Sequence, residues 1–145
     1  MATRSTISVK LADGRVRKVY CHWDGYLDHN GSMLITHYNT QQLAEELTAL
    51  GDISSLDTAI NPTSPHSFDA PQEGVTVYYG RDRGETGVEP DYFDSVEAYK
   101  TQLNGEEYDY LFEDGVWTYR SYDRSPWVSV ADALAKEQAA TEAAD

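Results

Sequence analysis

The sequence is poor in cysteine and in basic residues, and it lacks a long apolar run. One cysteine, Cys21, excludes an intrachain disulfide framework and fits a reducing compartment. No apolar run approaches the ~20 residues that a membrane-spanning helix needs, and no basic-then-apolar leader begins the chain. These absences predict a cytosolic protein that has no membrane partner.

Basic residues are outnumbered, with 11 Lys and Arg against 25 Asp and Glu and a net charge of −14. This balance argues against direct nucleic-acid binding, which needs clustered cations to neutralise phosphates. The acidic excess lies mainly in residues 84–145, where fifteen acids face four cations. It is either a solvated surface that aids solubility or a carboxylate surface that meets a basic protein as a nucleic-acid mimic. The carboxylates of that second interpretation are Glu106, Glu107, Asp109, Glu113 and Asp114.

Alternating polar and apolar residues predict two β-hairpins and one further strand. The hairpins cover residues 5–20 and 108–122, and each has an Asp-Gly turn. The further strand is Val75–Tyr79. Two hairpins and one strand predict a mainly antiparallel sheet of about five strands.

Helical spacing and capping residues predict helices packed on this sheet. Thr40 can cap the clearest helix, in which leucines recur at helical spacing before Gly51. The expected helices cover residues 31–38, 40–51, 95–103 and 127–136. The prediction is a single α+β domain over 1–137, with a frayed Ala/Glu tail at 138–145. The connection 52–74 contains three prolines, and a loop of this length is usually functional or mobile.

The stretch Tyr20–Tyr26 gathers residue types that occur in catalytic and metal sites. Cys21 and His22 are neighbours on a predicted strand, so their side chains point to opposite faces and cannot pair directly. The spacing of Cys21 with His22, His29 and His37 is not that of a zinc site. We therefore assign no catalytic residue, no metal site and no cofactor.

The same stretch ends in an aromatic pair around a turn. Trp23 and Tyr26 flank Asp24-Gly25, and tryptophan and tyrosine dominate the hot spots of protein interfaces. The pattern favours a core position for Trp23 and partial exposure for Tyr26. Trp23, Asp24 and Tyr26 are accordingly the candidate anchor for a protein partner.

A second candidate site takes a small ligand. Arg81 and Arg83 follow a predicted strand in a glycine-bounded loop, and two guanidinium groups can bind a phosphate. With His22, His37 and Tyr38 they would form a nucleotide-binding pocket. The competing interpretation, which the sequence favours, pairs both arginines with neighbouring carboxylates that hold the loop.

Several stretches together resemble a family of small acidic proteins encoded by tailed bacteriophages and prophages. They are Met1–Ile7, Tyr20–Tyr26, His37–Tyr38, Leu50–Leu56 and Tyr79–Glu85. The resemblance implies an accessory phage protein made in the cytoplasm of the bacterial host. Many phage proteins of this size and acidity block host defences, so the resemblance implies anti-defence activity by analogy.

The leading hypothesis is a non-enzymatic protein that binds and inhibits a bacterial defence component, such as a CRISPR effector complex. Its partner would be a host protein with a basic surface, and it would not bind nucleic acid directly. The first alternative is a protein that binds or sequesters a nucleotide signal. The second is an enzyme that uses Cys21 and His37. The sequence leaves the oligomeric state open, a homodimer included.

Overall fold

The computed structural model describes residues 2–103, 105–121 and 126–144, with side chains as far as 139 in the last segment. The described residues form eight strands and five α-helices around one mixed sheet. The strands are β1 (Ser5–Lys10), β2 (Val16–Cys21), β3 (Ile53–Ser55), β4 (Val77–Tyr78), β5 (Asp91–Phe93), β6 (Tyr108–Glu113), β7 (Val116–Ser121) and β8 (Val128–Ser129). The helices are α1 (Ser32–His37), α2 (Gln41–Ala49), α3 (Tyr79–Arg83), α4 (Val96–Gln102) and α5 (Val130–Ala144).

The sheet has the strand order β4-β3-β2-β1-β6-β7-β8, and β5 adds to β2 beside this path. Strand β1 is antiparallel to β2 and parallel to β6, in register from Ser5↔Tyr108 to Val9↔Phe112. Strands β2 and β3 are also parallel. The predicted α+β class holds, but the predicted mainly antiparallel sheet of about five strands is wrong. The additional strands are two or three residues long, too short for an alternating pattern to reveal them.

Alternation along the strands sends side chains to two faces, and helices lie on both. One face carries the main core, in which Ile7 and Val19 of the first hairpin pack with Leu34 of α1, Leu47 of α2 and Val130 of α5. The opposite face carries a smaller cluster under α4. Its buried members are Val16, Tyr99, Leu103 and Leu111.

The helix starts follow their capping residues. The hydroxyl of Thr40 accepts the amide of Leu43 at 3.2 Å, as predicted for α2, and Ser95 caps α4 in the same way. The region before α1 differs from the expected loop, because Leu27–Gly31 forms a π-helical turn that continues into the helix.

The C-terminal helix also differs from its prediction. It begins at Val130 rather than Trp127, and its backbone continues to Ala144 rather than ending near Lys136. Tyr122, the predicted end of the second hairpin, and Asn104, the predicted stop of α4, lie outside the described residues.

The predicted strand Val75–Tyr79 is shorter at both ends, because β4 begins at Val77 and the chain enters α3 at Tyr79. The carboxylate of Asp82 accepts the amide of Tyr78 at 2.8 Å, which satisfies a backbone donor at the start of the helix. Gly84, at φ 75°, ends α3 in the left-handed conformation. The segment that carries both candidate arginines is therefore helical rather than an open loop.

The close approach at Gly51 gives a test of the fold. Gly51 has φ 90°, and a Cβ atom there would overlap the carbonyl oxygen of Val88. We expect Gly51→Ala to lower the free energy of unfolding by about 3 kcal/mol, since a left-handed alanine and an overpacked contact both cost energy. Urea denaturation measures this change.

Gly14 provides the matched control, because it also has φ 90° but a Cβ there meets no atom within 4 Å. Gly14→Ala should therefore cost only about 1 kcal/mol, the backbone strain alone. Equal losses in the two variants would contradict the packing of Gly51 against Val88.

Candidate functional site

The chain leaves β2 through a turn that exposes two large aromatic side chains. We call Trp23, Asp24, Gly25 and Tyr26 the aromatic corner. Trp23 is 44% exposed and Tyr26 is 40% exposed. The sequence favoured a core position for Trp23, and that expectation is wrong: its ring packs edge-on against His22 at a centroid distance of 4.7 Å and faces solvent.

Hydrogen bonds from three parts of the chain fix the backbone of the aromatic corner. The amide of Trp23 donates to the carbonyl of Ser54 at 3.0 Å, and that of Gly25 donates to Thr3 at 2.8 Å. The buried hydroxyl of Tyr110 donates to the carbonyl of Gly25 at 2.7 Å. The corner is therefore held in place before any partner binds.

The conformation of the corner constrains its residue types. Asp24 has φ 57°, a left-handed value that aspartate tolerates better than most residues. A Cβ atom on Gly25 would lie 2.8 Å from both Ser5 Cβ and Thr3 O. Gly25 is thus required by the close approach of the chain that leads into β1.

The aromatic corner lies in a negative electrostatic environment. The Tyr26 hydroxyl donates to Asp24 Oδ1 at 3.3 Å. The charge of Asp24 is the main cause that raises the pKa of Tyr26, and Asp28 adds to it. Among the described residues neither aspartate forms an ion pair with a lysine or arginine. This arrangement is suited to a cationic group.

Three stretches of the chain, Tyr20–Tyr26, Leu50–Leu56 and Tyr79–Glu85, meet beside the corner. A carboxylate oxygen of Asp52 accepts the amide of Tyr20 at 3.0 Å, and its carbonyl accepts the amide of Tyr79 at 3.2 Å. Partial burial is the main cause that raises the pKa of Asp52. Asp52 therefore joins the end of β2 to the start of α3.

Asp109 is the one predicted partner-binding carboxylate that does not lie on the surface. It is 0% exposed, and it accepts a hydrogen bond of 2.6 Å from the hydroxyl of Thr6. Its other oxygen lies 3.5 Å from Nε of Arg120. We therefore remove Asp109 from the acidic surface, because its charge is used inside the fold.

The remaining predicted carboxylates are accessible. Glu106, Glu107 and Glu113 are partly exposed and make no ion pair with a described cation. Asp114 is exposed at the β6–β7 turn, where Lys10 approaches it at 3.7 Å. Exposed pairs of this kind contribute little to stability, so Asp114 stays available to a partner.

Arg81 is not available to a ligand in this structure. Its guanidinium binds both carboxylate oxygens of Asp82, at 2.7 and 3.1 Å. It also donates to the carbonyls of Ile60 and Thr76, at 2.7 and 3.0 Å. Arg81 therefore pairs with a neighbouring carboxylate, as the competing interpretation expected, although the segment is a helix rather than a loop.

Arg83 is more exposed, and its guanidinium lies 4.9 Å from the centroid of the Phe68 ring. The two residues line an open pocket of about 310 Å³ together with Asp82. Two further residues, Ser67 and Asp69, complete the lining. A pocket with two carboxylates and one guanidinium is poorly matched to a phosphate.

The other predicted ligand-binding residues lie apart from this pocket. Tyr38 is buried, and its hydroxyl donates to the carbonyl of Asp57. His37 lines a separate depression of about 190 Å³, and His22 lies at the aromatic corner, where Nδ1 is 2.7 Å from the Tyr20 hydroxyl. The depression at His37 and the pocket at Arg83 are separate, and neither is lined by His22, Tyr38 or Arg81.

Sequence reasoning missed His66, which anchors the long connection. Its side chain is 2% exposed, and Nδ1 accepts the amide of Gln72 at 2.9 Å. Nε2 lies 3.1 Å from an oxygen of Asp82 but is not aligned for a hydrogen bond, so the contact is electrostatic. A histidine inside a proline-rich loop gives no pattern that would predict this burial.

Cys21 is a core residue. It is completely buried, and the side-chain amide of Asn30 donates to its sulfur at 3.4 Å. Burial is the main cause that raises the pKa of its thiol to about 11. Across residues 2–103, 105–121 and 126–144, no cluster of three or more His, Cys, Asp or Glu side chains is arranged to bind a metal ion. No helix in these segments has the length and apolarity needed to cross a bilayer.

Comparison of the chain with protein-family models, with curated proteins and with solved structures found no match. A function for this chain is therefore inferred from the geometry of its own residues.

The raised pKa of Cys21 makes its reactivity testable. Because the pKa is about 11, the thiol stays protonated at pH 8, where a nucleophilic cysteine would be largely thiolate. We expect the native protein to react with a disulfide reagent far more slowly than glutathione does. In concentrated urea the two rates should become similar. A fast reaction of the native protein would contradict the burial of Cys21.

The carboxylate of Asp82 supplies a prediction about acid stability. Burial raises its pKa, but Arg81, the Tyr78 amide and His66 together lower it below the ordinary 3.8. A depressed pKa stabilises the fold at pH values above 3.8, the ordinary pKa of the unfolded chain. This stabilisation is lost as the pH falls below 3.8 and passes through the lower pKa of the folded protein. We expect Asp82→Asn to lower the free energy of unfolding at pH 7 by about 2 kcal/mol.

Urea denaturation at pH 7 and at pH 3 measures this effect, and the difference between wild type and Asp82→Asn should shrink at the lower pH. Asp69→Asn is the control, because Asp69 is an exposed acid that lines the same pocket as Asp82 and forms no ion pair with a described cation. A loss of stability in Asp69→Asn as large as in Asp82→Asn would contradict the assigned role of Asp82.

Proposed function

We propose that the protein is a phage accessory protein that binds and inhibits a bacterial defence component with a basic surface. The observation that carries this proposal is the aromatic corner, in which Trp23 and Tyr26 are exposed around a negatively charged turn. The phage context comes from the sequence resemblance. The host bacterial cytoplasm is the corresponding place of action.

The aromatic corner has the properties of an interface anchor. Aromatic side chains with a polar end carry much of the binding energy of protein complexes. Holding such groups in their bound geometry reduces the entropy that association costs. The hydrogen bonds of the turn with Ser54, Thr3 and Tyr110 order the backbone that carries these side chains.

The acidic surface supports the choice of a basic partner. Glu106, Glu107 and Glu113 add three carboxylates that no described cation neutralises. Charges of one sign over a surface accelerate encounter with an oppositely charged protein. Surfaces that bind nucleic acid are basic, so the nucleic-acid-binding subunits of a defence complex are suitable targets.

The two alternatives have less support. An enzyme that uses Cys21 requires a reactive thiolate, whereas this thiol is buried and its pKa is raised. A nucleotide-binding protein that uses Arg81 and Tyr38 requires both side chains at one open pocket. The guanidinium of Arg81 is already bound by Asp82 and by the carbonyl of Ile60, and Tyr38 is buried.

Plaque assays test the proposal directly. The protein is expressed in a panel of bacterial strains that each carry one defence system, and each strain is infected with a phage that its system blocks. We expect plaque formation to be restored in at least one strain, since binding would occupy the surface that the system needs. Unchanged plaque counts in every strain of a panel that includes CRISPR systems would contradict the proposal.

Charge variants then test the acidic surface in the strain that responds. A triple variant with Glu106→Gln, Glu107→Gln and Glu113→Gln should protect the phage less well than wild type.

The control removes the same number of charges from the N-terminal half of the chain. Its three changes are Glu46→Gln, Asp69→Asn and Glu73→Gln. Equal losses of protection in both triple variants would mean that net charge, rather than this surface, is responsible.

A further inference from the structure

We infer that the aromatic corner binds an arginine side chain of its protein partner. This inference rests on the proposed function and specifies the chemistry of the same surface. It comes from the way in which the protein's own arginines lie over aromatic rings while they bind carboxylates.

The exposed aromatic ring of Tyr92 shows this use most clearly. Tyr92 is 49% exposed, and the guanidinium groups of Arg15 and Arg17 lie 5.1 and 5.7 Å from its ring centroid. Nε of Arg17 also donates to the Tyr92 hydroxyl at 3.2 Å. Arg15 binds the carboxylate of Asp13 at 2.8 Å at the same time. An aromatic face and a carboxylate are therefore used together to hold one guanidinium.

The same arrangement recurs elsewhere in the described chain. Arg81 lies 4.9 Å from the ring centroid of Tyr78 while it binds Asp82. Arg120 lies 5.3 Å from the ring of Trp127 and 3.5 Å from a carboxylate oxygen. Of the seven cation–π contacts among the described residues, five use arginine and two use lysine.

The aromatic corner has the same components but no cation from the described chain. Neither Trp23 nor Tyr26 has a lysine or arginine over its ring. Asp24 forms no ion pair with a described cation. Nearby, the side chain of Asp28 raises the pKa of Glu137, which also indicates a local excess of negative charge. Charge complementarity thus favours a cation supplied by the partner.

Arginine fits this surface better than lysine does. Its planar guanidinium stacks on an aromatic ring and presents several N–H donors in one plane to a carboxylate. In Asp24, Oδ1 already accepts the Tyr26 hydroxyl, and each carboxylate oxygen has a further lone pair. A guanidinium can therefore stack on an exposed ring and bind Asp24 at the same time, whereas a lysine ammonium is only a compact, strongly hydrated charge.

Peptide titration tests the inference without knowledge of the partner. Three capped pentapeptides are used, in each of which glycine alternates with one other residue type. The two other positions are arginine in the first peptide, lysine in the second and citrulline in the third. NMR follows the indole N–H signal of Trp23 during each titration, and Trp23→Phe assigns that signal. We expect a saturable shift with the arginine peptide, a smaller shift with the lysine peptide at equal concentration and none with the citrulline peptide.

Variants locate the binding at the corner. Trp23→Ala and Asp24→Asn should each weaken binding of the arginine peptide roughly threefold to tenfold. The shifts of backbone amide signals measure the affinity of these variants. Asparagine also tolerates the left-handed backbone of residue 24, so this change keeps the turn. Tyr92→Ala is the matched control, because it removes an equally exposed ring that already has its own arginines, and it should leave the affinity unchanged.

Equal shifts with the lysine or citrulline peptide, or full affinity in Trp23→Ala, would overturn the inference. These outcomes are distinct from failure of the proposed function. If plaque assays show protection and Trp23→Ala protects as well as wild type, the arginine site is wrong while the inhibitory function stands. If no strain is protected, the proposed function fails even where the arginine peptide binds.

Discussion

Strand β1 is the element on which the remaining structure depends, because both of its edges are paired. It meets β2 over six residue pairs and β6 over five, and β6 lies about a hundred residues away in sequence. The buried bond from Thr6 to Asp109 crosses this second pairing at 2.6 Å. A buried carboxylate is tolerated only when its oxygens have partners, so Thr6 and Arg120 permit the charge of Asp109 inside the sheet. The pairing of β1 with β6 joins the two hairpins in one sheet.

The aromatic corner depends on the same pairing. Tyr110 lies opposite Ile7 in the register of β6 on β1, and its hydroxyl reaches the carbonyl of Gly25. The amide of Gly25 is bound by Thr3, just before β1 begins. A slip of one residue between β1 and β6 would turn Tyr110 to the other face and remove the first of these bonds. The candidate site is thus positioned by the core, although its own side chains are exposed.

The elements that could be predicted from the sequence are those whose signals are local. Both hairpins follow from alternation and Asp-Gly turns, and α2 and α4 follow from Thr40 and Ser95 as caps. Strands β3, β5 and β8 are two or three residues long and are set by tertiary pairing, and no local pattern encodes them. The parallel contact of β1 with β6 is likewise a long-range choice. Sequence periodicity records which face a residue occupies but not which strand lies beside it.

The candidate site was predictable to a similar extent. The turn at residues 24–25 and the pairing of Arg81 with a neighbouring acid follow from short-range chemistry. The exposure of Trp23 and the burial of Asp109 do not follow in this way. Hydrophobicity alone predicts a buried Trp23, and charge alone predicts an exposed Asp109. Each exception has a tertiary cause: bonds to Thr3 and Tyr110 fix the turn that presents Trp23, and Thr6 and Arg120 bind Asp109.

The shortage of cations connects the fold with the proposed interface. With 11 lysines and arginines against 25 acids, most carboxylates cannot have an internal partner. Several arginines are used where one guanidinium serves both a ring and a hydrogen-bond acceptor, as Arg17 does at Tyr92 and Arg81 does at Tyr78 and Asp82. The surplus carboxylates act at long range and are screened by salt, so they influence the rate of encounter. A stacked guanidinium at the corner acts at short range and influences the rate of dissociation. In the proposed complex the two surfaces would therefore contribute to separate kinetic steps, the carboxylates to association and the corner to release.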